Sequence, residues 1–447
     1  MPLSVYLHVS CIRMPRVLYH TFDLMSRIRE LRLTGELSEL NNLHLLFNHP
    51  APELEVFAFS ASVIKHWCLD GKRSRRYGVR ELLGRPQAAN RYRKSHQLPL
   101  LFLGHHPRLE SLYLRFFIHF GYNAFHTIKK LHLSRQFFTT PKRFKLFLDL
   151  LDGMPRLEEL ILSWVDFGTD LMPSIDIGSS QIHLKSLQRL ALIGLGTPDI
   201  ERVLQCLVLP PDLALSCDMG CNWGENIEDL CALLRDRLRN ARHVEIEFDS
   251  SYSHANILVA SATFAVRFVA CGYGASDDVG NYLAEIAQHA DVQDLWIRLL
   301  SRTTGPVEID PIELGGYFAL LKSLYIEFPG SKTQVYLNDW LTIFGREIDA
   351  RNLHFLVEFL PTAQMKAYIE EIMGESLTDV RVYTTDAVRR SSAFHPLVED
   401  FKIALNKKGF GSVDFLPARR FPKIPLPPVC VSTAGAGWEW SKRDQFE

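Results

Sequence analysis

The chain has 447 residues, 47% of them hydrophobic, with 50 Lys and Arg against 51 Asp and Glu. That length would serve two or three ordinary domains, or one repeat array that uses all of it. A formal charge of −1 provides no global field to draw in nucleic acid or an anionic membrane, and eight scattered cysteines are too few for a disulfide scaffold.

The first residues, Leu3, Val5, Leu7 and Val9, alternate as a strand over Ser4–Val9, without the basic leader of a signal peptide. No apolar run reaches the roughly 18 residues needed to span a bilayer, so a cytoplasmic or nuclear protein with reduced thiols is expected. Strands at Arg29–Leu33 and Glu55–Phe59 follow, joined by an amphipathic connection over Leu37–Phe47. Residues 65–104 then interrupt the pattern and are basic, with Lys72, Arg73, Arg75, Arg76, Arg80, Arg85, Arg91, Arg93 and Lys94. A solvated loop insertion is expected; a nuclear-import or phosphate-binding patch is the alternative.

Regularity returns at Leu109 and is clearest at Pro155–Leu162. There Leu157 enters from a turn, Leu160 and Leu162 share one face of a strand, and Glu159, Ile161 and Ser163 point the other way. Copies of this Leu-x-x-Leu-x-Leu pattern begin at Ile28, Leu54, Leu109, Ile128, Leu187, Val292, Leu321 and Leu377, with weaker ones at Ala241 and Ala350. From Ile28 to Leu54 is 26 residues, from Ile128 to Leu157 is 29, and from Leu157 to Leu187 is 30. The double-length gaps on either side of Ala241 each hold one degenerate strand, Leu213–Ser216 and Phe264–Phe268. A single such strand cannot bury its apolar side, whereas copies stacked at a fixed period can. The expected fold is an α/β leucine-rich-repeat solenoid over residues 1–416, its parallel sheet concave and its helices and loops convex.

Between strands, Thr140-Pro141 has the form of a helix opening, N-cap then Pro at the first helical position, for a helix over Lys142–Leu151 that stops at Asp152-Gly153. Thr197-Pro198-Asp199 repeats the device before Ile200–Leu207. Ile227–Leu238, Val279–Ala290, Trp340–Phe344, Ala363–Met373 and Pro396–Asn406 are further crossover helices. After a last strand at Ser412–Leu416, five prolines between Pro417 and Pro428 exclude a central strand. Residues 417–447 are therefore expected to form an extended tail packing across the terminal repeat.

Chemistry is sparse. Cys217, Cys221 and Cys231 are the densest thiols, but only distant His243 offers a fourth zinc ligand, so buried or free thiols are expected. His105-His106 before Pro107 reads as a repeat turn. Neither a Gly-x-Ser-x-Gly, a phosphate-binding loop nor a His-Glu-x-x-His is present, and Gly272–Ser276 is no nucleotide fingerprint. No catalytic, cofactor or metal residue is predicted, and a non-enzymatic protein is expected. The informative feature is the row of strand positions facing away from the core, on rungs about 4.8 Å apart. It carries Tyr113, Arg115, His132, Trp296, Arg298, Tyr325, Glu327, His354, Arg381 and Tyr383, among which Tyr, Trp and Arg are the residue types that carry binding hot spots, although strand propensity alone also enriches aromatics.

The runs His106–Leu114, His183–Gly194, Val203–Pro211 and Leu213–Cys217 resemble the leucine-rich region of mushroom-forming fungal F-box proteins, over most of residues 1–416. The resemblance implies repeats that hold a substrate, behind an F-box module that docks on the Skp adaptor of a cullin-RING ubiquitin ligase. The Leu-Pro start and closing Trp of that module are not found in residues 1–50, and Met1 is expected to fall just past its end. Skp adaptor and cullin are thus expected partners only if an F-box lies upstream, and a free-standing scaffold is the alternative. The regular Asn after Leu-x-Leu is also missing, so no asparagine ladder is expected.

Overall fold

A computed structural model describes residues 2–9, 21, 23–36, 46–62, 100–116, 123–168, 181–219, 227–249, 254–271, 275–299, 318, 320–328, 350–357, 377–407 and 412–431. The chain is α/β, with a large, mostly parallel sheet of sixteen strands and several helices. It forms two compact units, one from Met1–Ala191 with Arg202–Pro210, the other from Leu192–Glu201 with Pro211–Ser441.

The first unit carries β1 (Leu3–Val9), β2 (Ile28–Glu36), β3 (Val56–Ser62), β4 (Ser111–Arg115), β5 (Lys130–Ser134) and β6 (Glu159–Ser163), paired in parallel and in chain order. A short parallel pair that the sequence did not announce, β7 (Ile182–His183) with β9 (Leu207–Val208), flanks β8 (Arg189–Ile193) in the chain. The Leu-x-x-Leu-x-Leu pattern becomes three buried columns. Leu31, Phe57, Leu112, Leu131 and Leu160 align in register, as do Leu33, Phe59, Leu114, Leu133 and Leu162. The third column comes from the turns, where Leu54, Leu109, Ile128 and Leu157 each donate their N–H to the carbonyl three residues back. Each strand then hooks onto the last: both Glu110 and Ser111 donate to Glu55, and Glu158 and Glu159 both donate to Lys129.

Strand exits turn sharply. Phe116, Arg135 and Trp164, each the first residue after a strand, have φ of 68°, 52° and 55°, a region that costs a non-glycine residue about 1–3 kcal/mol. Inter-rung hydrogen bonds from Phe116 to Ser134 and from Arg135 to Ser163 hold two of them there. Helix α1 (Pro141–Asp152) opens as expected, with the Thr140 hydroxyl accepting from the Arg143 N–H at 3.3 Å. Its Phe144 and Phe147 join Phe138 and Phe167 in a ring cluster with centroids 5.0–6.2 Å apart. Residues 65–99 of the basic segment lie outside the described residues. Its end differs from the expected loop: Phe102 is buried and meets Phe47 and Phe57 edge-on at 5.6 and 5.5 Å.

The second unit contains β10 (Ala214–Asp218), β11 (His243–Asp249), β12 (His254–Ala260), β13 (Ala265–Cys271), β14 (Asp294–Leu299), β15 (Ser323–Phe328), β16 (Asn352–Val357), β17 (Asp379–Thr384) and β18 (Ser412–Pro417). From β14 onward they stack in parallel and in order. Before that, the expectation of consecutive parallel rungs fails. Both degenerate strands exist, as β10 and β13, but they pair with each other. β12, which was not foreseen, runs antiparallel to β11 and β13, and β11 pairs with β14. The physical reason is the tight turn after Ala260: Ser261 Oγ accepts the Thr263 and Phe264 N–H groups, and Ser261 N–H donates to the Phe264 carbonyl. That reverses the chain where a crossover was expected.

Helices α2 (Thr197–Cys206), α3 (Ile227–Leu238), α4 (Ala275–His289), α5 (Asp386–Arg389), α6 (Phe394–Lys407) and α7 (Pro428–Val431) follow in the chain. Thr197 is the first residue of α2 and not its cap; its hydroxyl donates to Met219 Sδ at 3.8 Å, and the Gly196 carbonyl receives the first N–H groups. The expected helices at Trp340–Phe344 and Ala363–Met373, and most of Leu37–Phe47, lie outside the described residues. In this unit helices cover the leucine side of the strands: Tyr282 of α4 meets Phe268 at 6.2 Å, and Phe394 and Phe401 of α6 meet Phe415 of β18 at 6.0 and 5.7 Å. The opposite face belongs to the outward row.

Candidate functional site

In the second unit the register brings four predicted residues onto adjacent strands. Trp296 pairs with Tyr325, Tyr325 with His354, and His354 with Arg381. The rings stack as a ladder: Trp296 on Tyr325 at 4.3 Å and 5°, Tyr325 on His354 at 4.4 Å and 25°. Tyr383, two residues beyond Arg381, continues it at 5.9 Å and 21°, its hydroxyl 3.1 Å from His354 Nδ1. Burial, and then the Arg381 charge, lower the His354 pKa to about 4, so the ring is neutral at pH 7 and Nδ1 can accept the Tyr383 proton. Arg381 itself is more exposed and sits 3.6 Å from Asp379.

These rings are not an open surface. Trp296, His354 and Tyr383 are only 3%, 4% and 2% exposed, whereas Tyr325 is half-buried. Part of the cover is the tail. Phe421 presents its ring edge-on to Tyr383 at 5.2 Å and to Tyr325 at 6.1 Å, and Trp296 Nε1 donates to the Pro422 carbonyl at 3.0 Å. Farther along, Ile424, Leu426, Val429 and Cys430 pack on Ala214, Leu258, Ala260 and Ala265. These are the outward positions of β10, β12 and β13. The tail therefore runs back from β18 over most of its own unit, much farther than the terminal repeat. A cavity of about 580 Å³ opens beside Pro425 and Leu426, lined also by Arg242, His243 and Thr263.

The column beside the ladder is charged. Arg298 Nε donates to Glu327 at 2.7 Å and Nη1 to Glu245 at 3.3 Å, with Glu247 at 3.9 Å. Burial pushes the Glu245 carboxyl above its ordinary range, and Arg298 offsets part of that. Burial likewise lowers Arg267, which faces the charges of Glu247, Glu245 and Asp218. Sequence reasoning placed Arg298 and Glu327 here but singled out neither Arg267 nor the two tail residues. A Phe-Pro pair inside a proline-rich run was the available signal for the latter.

In the first unit, Tyr113 pairs with His132 on the next strand, with rings edge-on at 6.0 Å. His132 Nε2 is 2.9 Å from Ser163 Oγ, and Arg115 lies over the Phe116 ring at 5.5 Å. Tyr113, Arg115 and His132, together with Ala58, Ser60 and Ser134, line a recess of about 20 Å³, room for little more than one water. The same face is crossed by a nearly buried ion pair, Arg189 to Glu159 at 2.9 Å.

Of the thiol cluster, Cys221 lies outside the described residues. Cys217 and Cys231 are buried thiols, and burial pushes both above the ordinary range, Cys231 to about 12. His243 lies instead 3.0 Å from Asp294. Among the described residues, no three metal-ligating side chains gather, and no helix is long and apolar enough to cross a membrane. No protein-family model matches the chain, and no curated protein matches it.

Proposed function

We propose that this is a non-enzymatic protein-interaction module of the leucine-rich-repeat solenoid type, with recognition on the strand face opposite the helices. The observation that carries this reading is the Trp296–Tyr325–His354–Tyr383 ladder, which already receives an extended peptide, the chain's own Phe421-Pro422. A row of aromatic rings flanked by an Arg–carboxylate cluster has the composition of a binding hot spot. The in-register leucine columns and the period near 29 residues support the solenoid, whose sheet face is the surface such proteins use. Near-zero net charge argues against nucleic acid or membrane as the partner.

Within that reading, the resemblance to F-box proteins points to substrate recognition for a cullin-RING ubiquitin ligase, with a free-standing scaffold as the alternative. The test is quantitative co-purification with the full chain and its Tyr325→Ala variant, chosen because Tyr325 is the least buried rung. A partner that falls at least ~10-fold with the variant, and binds the purified wild-type chain directly, supports the reading; a 10-fold loss corresponds to about 1.4 kcal/mol. Identical protein sets from both chains overturn it. Skp adaptor and cullin among the co-purified proteins favour the ligase role, and their absence favours the scaffold.

A further inference from the structure

We infer that the ladder face of the second unit is a receptor for an extended, proline-bearing segment of a partner protein, and that residues 418–431 are its tethered competitor. This rests on the interaction reading above and deepens it.

The chemistry of the occupant defines the chemistry of the ligand. Phe421, which leads into the Pro422–Pro428 run, has φ/ψ of −60°/126°, close to the polyproline II conformation. In that conformation backbone carbonyls have no internal partner, and the Trp296 indole takes the one on Pro422. Aromatic-lined grooves recognise proline-rich segments in this way because the ligand loses little entropy on binding. Phe421 adds an aromatic plug against two tyrosines, and Ile424 and Leu426 rest on a shelf made flat by Ala214, Ala260 and Ala265. The outward residues beside the ladder carry four carboxylates, Glu245, Glu247, Glu327 and Asp218, against Arg298 and Arg267. A basic residue next to the aromatic–proline pair suits that surplus, as exposed Lys423 does in the tail. The partner segment thus reads aromatic-Pro-basic-aliphatic-Pro-aliphatic.

The tail is bound as a ligand is bound, not as a strand. Between residues 418 and 431, among the described residues, its backbone–backbone bonds are local, Phe421 to Ala418 and Cys430 to Pro427. Pro422, Pro425, Pro427 and Pro428 have no N–H to give. Phe421, Ile424 and Leu426 are only partly buried, and the 580 Å³ cavity shows that the segment does not fill the surface it crosses. The short connection through Ala418–Arg420 presents such a segment at an effective concentration on the order of mM. A partner therefore competes only when its own segment binds more tightly or is itself multivalent.

The experiment uses the full chain, wild type and Phe421→Ala, and a fluorescent peptide spanning Arg420 to Val429 of the tail as probe. Anisotropy is expected to give Phe421→Ala at least ~10-fold tighter apparent binding than wild type, since the cis competitor is weakened. Adding Tyr325→Ala, or scrambling the probe to separate Phe from Pro, should remove it. Equal affinity for the two chains, or no binding to either, overturns the inference. Should Phe421→Ala not fold, hydrogen exchange on the wild-type chain decides. Amides of residues 418–430 exchanging at least ~100-fold faster than those of β14–β17 support a displaceable segment, and equal protection overturns it. A concentration-dependent dimer abolished by Phe421→Ala would assign the face to a second copy's tail, which also overturns a partner segment. If the probe fails while Tyr325→Ala still loses a co-purified protein, the ligand class falls and the interaction module stands.

Discussion

His354 offers a quantitative check on the ladder. Its ring is nearly buried, stacked on Tyr325 and bonded to the Tyr383 hydroxyl, and its pKa is lowered to about 4. An unfolded chain protonates histidine near pH 6.5, so between those values unfolding takes up a proton. The stabilisation from holding the ring neutral is whole above about pH 6.5 and is lost progressively as pH falls toward 4. Linkage puts the loss at about 1 kcal/mol at pH 5.5 and about 2–3 kcal/mol at pH 4.5. Carboxylates titrate over the same range, so the comparison must be with His354→Phe, which keeps a ring in the stack and cannot titrate. Urea unfolding of the second unit, followed for both chains from about pH 7.5 to 4.5, isolates the difference. The wild type should lose about 2–3 kcal/mol more than His354→Phe on acidification. Parallel curves, within about 0.5 kcal/mol throughout, would mean that the ring is not held neutral and that the packing described for the ladder is wrong.

Two further substitutions probe other levels of the fold. Leu131→Ala, between Leu112 and Leu160 in a fully buried column, should cost the first unit about 2–5 kcal/mol in urea unfolding, while Ser134→Ala on the opposite face should change it by less than about 0.5 kcal/mol. Trp296→Phe keeps the stack but removes the donor to the Pro422 carbonyl. A loss of about 0.5–1.5 kcal/mol should speed exchange of the tail amides several-fold while leaving β14 and β15 protected.

What was legible in the sequence follows from what is local. Leu157, Leu160 and Leu162 state their own strand, its face and its turn within six residues, and their copies reveal the neighbours. The hairpin could not be read in this way. β12 reads His-Ala-Asn-Ile-Leu-Val-Ala, an apolar run without alternation, because outward Leu258 lies under Ile424 and Leu426. Its closing turn, Ser261-Ala262-Thr263-Phe264, has no glycine, proline or asparagine to mark it, and a serine hydroxyl performs the closure. The same holds for the candidate site. Period-two spacing placed Trp296, Tyr325, His354 and Arg381 in one row, and the register agrees. Part of the cover over Trp296 comes from Pro422, 126 residues away, a distance no local pattern carries. Phe102 was hidden for the opposite reason: it closes a strongly basic stretch, and only contact with Phe47 and Phe57 marks it as core.

The reversed strand order in the second unit also constrains how the polypeptide can assemble as it leaves the ribosome. Rungs β2 to β6 can each dock on a predecessor already made. Gly194 and Leu195 donate to Asp218 at one side of Ala214–Asp218, but its other edge has no companion until Ala265–Cys271 emerges, some 50 residues and roughly 3–10 seconds of synthesis later. During that interval an unpaired apolar edge is open to misassociation. The three-stranded meander β11–β12–β13, whose antiparallel contacts are short in sequence, forms faster than the long-range pairings on either side of it. A nucleus formed there would leave its two edges for β10 and β14 to close on, β10 at β13 and β14 at β11.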